Sequence, residues 1–79
     1  MSNIVIPISE YFKSSTKKAV VYKTSMQEAL YLIEYFDNDV VFHKEIYDNN
    51  SLRYVEDAAE NWALGIKKLD NENEDSTIN

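Results

Sequence analysis

The stretch SMQEALYLIEYFDND, residues 25–39, decides the architecture. Ser25-Met26-Gln27-Glu28 matches a capping box, in which a serine oxygen accepts from a free helix-end amide and the glutamate reaches back to the cap amide. At about 100° per residue, Met26, Ala29, Leu30, Ile33 and Phe36 share one face. The stretch therefore predicts an amphipathic helix ended by Asp37-Asn38-Asp39. On that helix Tyr31, Leu32 and Tyr35 point away from the apolar stripe, with Tyr31 and Tyr35 one turn apart. Exposed tyrosines of this kind are typical of interface centres, so these three residues form a candidate partner-binding patch.

Working toward the N-terminus, residues 19–23 (AVVYK) and 4–8 (IVIPI) are rich in β-branched residues and read as strands that pair as a hairpin. Pro7 lacks an amide proton, which sends the first strand to a sheet edge. Residues 9–18 read either as an extension of that strand through Tyr11 and Phe12 or as a short helical turn after Ser9, with a turn at Ser14-Ser15-Thr16-Lys17.

Toward the C-terminus, residues 40–47 read as a strand. Val40, Phe42 and Ile46 lie on one side, interrupted by Lys44, and Val41, His43, Glu45 and Tyr47 on the other. After a turn at Asp48-Asn49-Asn50, an apolar stripe runs through Leu52, Val55, Ala59, Trp62, Ile66 and Leu69. It predicts a second helix capped by Asn50 or Ser51. Two competing readings make 52–55 a strand or end the helix at Gly65. The longer helix is preferred because the stripe passes through both regions. The element order is strand, strand, helix, strand, helix: an α+β fold with a three-stranded sheet and two helices packed on one face.

Seventy-nine residues allow one domain, assigned to 1–69. Residues 70–79 hold Asp70, Glu72, Glu74 and Asp75 with no base, and read as an acidic, disordered tail. The formal charge of −6 comes from 14 acids against 8 bases, and without the tail ten acids face those eight bases. Such a chain repels nucleic acid and anionic membrane. No run approaches the ~20 apolar residues of a membrane span. The absence of cysteine and of a basic leader points to the cytoplasm.

Several chemistries are excluded. With one glycine there is no phosphate-cradling loop, and with no cysteine there is neither a disulfide nor a thiol nucleophile. One histidine, His43, makes a zinc site untenable. The carboxylates Asp37 and Asp39 lie in a turn, and Glu56, Asp57 and Glu60 on a polar helix face, where acids are ordinarily solvated. No enzyme activity and no cofactor is expected. Glu56, Asp57 and Glu60 are nevertheless a second candidate partner-binding surface. Carboxylates about one helical turn apart, ~6 Å, match the spacing of successive phosphates and suit a basic groove on a nucleic-acid-handling protein.

Brevity, acidity, absence of cysteine and abundance of Tyr, Asn and Asp give the whole chain a resemblance. It is similar in these respects to the small early proteins of T-even-type phages and to phage-encoded anti-defence inhibitors. The resemblance implies a protein that blocks or redirects a host protein by direct contact, often one that handles nucleic acid. The alternatives are a self-associating structural component, which would form a homodimer or larger assembly, and a small antitoxin-like adaptor.

Overall fold

The computed structural model describes residues 5–24 and 30–69. The strands are β1 (Val5–Phe12), β2 (Lys17–Thr24), β3 (Tyr31–Asp37) and β4 (Val40–Tyr47), and the helix is α1 (Leu52–Ala63). They form a four-stranded antiparallel meander in the order β1-β2-β3-β4. The expected three-stranded sheet with two helices is corrected: the described residues form four strands and one helix. The third element is a strand, so Tyr31, Leu32 and Tyr35 do not share a helix face. The Ser25–Glu28 capping box lies outside the described residues.

The physical reason is visible in the side chains. Tyr31, Ile33 and Tyr35 alternate with Leu32, Glu34 and Phe36, a period-two pattern of aromatic and β-branched residues that suits a pleated strand. Ile33 and Tyr35 are fully buried opposite Val21 and Ala19 of β2. Thr24 and Leu30 close the β2–β3 connection. The Leu30 amide donates to Thr24 Oγ1 at 3.0 Å, and the Thr24 amide to the Leu30 carbonyl at 3.0 Å.

Asp37-Asn38-Asp39 is a hairpin turn and not a helix end. Asn38 and Asp39 have φ of 55° and 68°, and Asp37 pairs with Val40. Positive φ at both central residues is the mark of a type I′ turn, whose twist matches that of the strands. Aspartate resists this conformation more than glycine does. Asp39→Gly is therefore expected to raise stability by roughly 0.5–1 kcal/mol, read as a higher midpoint in urea at unchanged slope.

The first hairpin follows its expectation, and β1 extends through Tyr11 and Phe12. Pro7 sits on the edge strand, next to a bulge between Pro7 and Ser9. Ser14 organises the turn by accepting from the amides of Thr16 and Lys17 at 3.2 and 3.1 Å. A second bulge, where Tyr35 pairs with His43 but Phe36 with Val41, breaks strict alternation in β4. It turns Phe42 toward the core beside Trp62, away from the side it was expected to share with Ile46.

Helix α1 starts at Ser51, whose Oγ accepts from the Tyr54 amide at 3.2 Å. Residues 52–55 are therefore helical. It stops at Gly65, φ +84°, and the preferred longer helix is corrected. The Ile66 amide donates to the Asn61 carbonyl at 2.8 Å and the Gly65 amide to that of Trp62 at 3.0 Å, the two bonds of a Schellman motif. The stripe past Gly65 was a false continuation: Ile66 is exposed, while Leu69 returns to the core. Val55, Ala59 and Trp62 pack over β2 and its neighbours β1 and β3, burying Ala19, Val21, Ile33 and Tyr35. Leu69, the last described residue, is buried, and the expected acidic tail 70–79 lies outside the described residues.

Candidate functional site

Because α1 sits over β2, the helix side of β4 is left beside the helix rather than beneath it. His43, Glu45 and Tyr47 occupy that strip. The Schellman turn brings Lys67 back over it. Lys67 Nζ donates to Glu45 Oε1 at 2.8 Å. The hydroxyls of Tyr35 and Tyr47 donate to the same oxygen at 2.9 and 2.8 Å. His43 Nε2 lies 3.7 Å from Oε2. Burial alone would raise the Glu45 carboxyl, but the hydrogen bonds from Lys67, Tyr47 and Tyr35 and the Lys67 charge outweigh it. Its pKa falls below the usual 4.5. Burial, followed by the bond to Glu45, drives the Tyr47 hydroxyl far above its ordinary value.

Two clefts flank the outer face of α1. One, of about 390 Å³, is lined by Tyr47, Tyr54, Asp57, Ala58, Asn61 and Lys67. Within it, Tyr47 and Tyr54 meet edge to face at 6.0 Å. The other, of about 370 Å³, lies between Tyr11 of β1 and the Leu52, Arg53, Glu56, Asp57 and Glu60 side of the helix. Asp57 borders both clefts, and its carboxylate makes no hydrogen bond or ion pair among the described residues. Glu56 is partly engaged, accepting from Ser9 Oγ at 3.0 Å.

The expected acidic surface of Glu56, Asp57 and Glu60 is thus assembled on one helix flank. The tyrosine patch is divided. Tyr35 is fully buried, Tyr31 packs against the core from the helix side, and Leu32 lies on the opposite sheet face. Tyr35 cannot meet a partner without unfolding. Sequence reasoning missed Tyr47, Tyr54, Asn61 and Lys67 as one cleft. The available signal was Gly65: read as a helix stop, it sends Lys67 back toward the Glu45 and Tyr47 side of β4.

Among the described residues no group of three His, Asp or Glu is placed to hold a metal ion, and no helix is long and apolar enough to cross a membrane. Comparison of the chain with known protein families, with curated proteins and with solved structures returned no match.

Proposed function

We propose that the chain is a phage-type accessory protein that inhibits or redirects a host protein by direct contact, using the outer flank of α1. The observation that carries this reading is Asp57, an exposed carboxylate shared by two clefts and bordered by the aromatic rings of Tyr54, Tyr47 and Tyr11. Carboxylates beside aromatic faces suit lysine and arginine side chains, which gain both an ion pair and a cation–π contact. The fitting partner surface is therefore basic, as in the groove of a nucleic-acid-handling protein, and the chain's own −6 charge favours the encounter. A catalytic reading has less support. Glu45, the most elaborately held acid, has one oxygen saturated by three donors and a lowered pKa, which makes it a poor base.

The test starts with affinity capture from bacterial lysate and mass spectrometry, followed by titration of the purified partner. Close charge pairs at interfaces couple by about 1.5 kcal/mol or more each. The triple change Glu56→Gln, Asp57→Asn, Glu60→Gln should then weaken binding at least ~100-fold while thermal stability stays near that of the parent. Binding should also weaken steeply as salt is added. Binding indifferent to both the triple change and salt would remove α1 as the contact surface, and absence of any stoichiometric partner would remove the inhibitor reading.

A further inference from the structure

Among the described residues, no helix covers the sheet face opposite α1. The register places three rows of side chains there. The first is Glu10, Val20, Glu34 and Lys44; the second is Phe12, Lys18, Phe36 and Val41; the third is Pro7, Tyr22, Leu32 and Ile46. Phe12 is 64% exposed, Ile46 63% and Val41 42%. Lys18 Nζ lies 6.0 Å from the Phe12 ring centre and 5.4 Å from that of Phe36. Glu10 is 4.0 Å from Lys18, and Glu34 is 3.8 Å from Lys44.

Two features choose the occupant. Two glutamates and two lysines leave this face neutral, so the −6 of the chain lies elsewhere. A second copy can approach this face without net charge repulsion across it. In the first row, Glu10 on β1 and Lys44 on β4 also stand at opposite edges of the sheet. A two-fold axis along the strands lays β1 over the partner's β4 and β2 over the partner's β3. That operation sets Glu10 against Lys44, Phe12 against Val41, Lys18 against Phe36 and Tyr22 against Leu32, each pair made twice, as an isologous interface requires.

We propose that this face is closed by a second copy of the chain, sheet against sheet, in an aligned sandwich with the two helices outermost. It is a surface separate from the α1 flank and independent of the function proposed for it. Four strands at ~4.8 Å and seven residues at ~3.4 Å give a face of roughly 19 by 24 Å. Two such faces bury on the order of 1,000 Å², where specific interfaces begin. The dimer is therefore expected to be concentration-dependent, with both α1 flanks free on its outside.

Sedimentation equilibrium on the full chain should show a mass rising with concentration from 9.2 kDa to twice that value. Phe12→Ser with Ile46→Ser, both at exposed positions, should keep the chain monomeric with its circular dichroism unchanged. Glu10→Lys or Lys44→Glu alone should weaken dimerisation about tenfold, and the two together should recover it. Concentration-dependent amide shifts in the unmodified chain should cluster at Phe12, Val20, Phe36 and Ile46, a readout that needs no variant. A monomer up to about 1 mM, shifts confined to α1, or a double charge exchange weaker than either single one would overturn the proposal.

Discussion

Trp62→Ala is expected to leave the chain largely unfolded at room temperature. Trp62 is fully buried, meets the Tyr35 ring edge to face at 4.9 Å and lies 6.5 Å from Phe42. Lys13 adds to the same residue from above: its Nζ donates to the Trp62 carbonyl at 3.0 Å and stands 5.2 Å over the indole. Truncating a buried aromatic to alanine costs about 3–5 kcal/mol, and so small a core supplies only a few kcal/mol in all. Trp62→Phe keeps most of the apolar contact and should remain folded. Urea titration followed by circular dichroism separates the two, and a cooperative Trp62→Ala transition at near-parental midpoint would remove Trp62 from the core.

The second large effect belongs to Glu45. Glu45→Gln removes a charge-assisted bond to Lys67 and leaves that ammonium without its counter-ion. Hydrogen bonds to charged groups contribute roughly 1.5–3 kcal/mol, and partial exposure of the pair puts the expected loss near the lower end. The pH dependence has a definite sign. The folded pKa of Glu45 is depressed, so its contribution is fully present above the ordinary 4.5 and is lost as pH falls through the lower folded value. The parent should lose stability steadily below about pH 4.5, with Glu45→Gln less stable at neutrality and flatter in that acid window. A Glu45→Gln chain with the parent's full acid slope would place the responsible carboxylate elsewhere.

The parts of the fold that were legible in the sequence are those where local pattern and tertiary demand agree. Pro7 marks an edge strand because a missing amide is tolerable only there. Residues 40–47 form a strand at the expected bounds. Val55, Ala59 and Trp62 face the core as their spacing requires. Residues 31–37 were misread because Leu30, Ile33 and Phe36 fit a helical stripe, while Tyr31, Ile33 and Tyr35 alternate with Leu32, Glu34 and Phe36. In a strand whose two faces are both largely apolar, periodicity distinguishes poorly between the two. Asn38-Asp39 carried the missing signal, since consecutive residues tolerant of positive φ between apolar runs are a hairpin turn.

At the candidate site, the acidic flank was legible because Glu56, Asp57 and Glu60 occupy one side of a helix whose register was right. The tyrosine patch was not, since its grouping depended on a helix that is a strand. The Lys67–Glu45 network joins residues 22 apart in sequence. Gly65 signals locally that α1 stops and the chain folds back, but the meeting of Lys67 with Glu45 depends on where the sheet places β4.

The claim on which the rest depends is that residues 31–37 are an interior strand beneath α1. Nuclear Overhauser contacts in the 79-residue chain test it most directly. The structure requires cross-strand contacts pairing Val21 with Ile33, Ala19 with Tyr35 and Glu34 with Lys44, together with contacts between the Tyr35 and Trp62 rings. Medium-range helical contacts running from Leu30 through Phe36, without those cross-strand pairs, would contradict it.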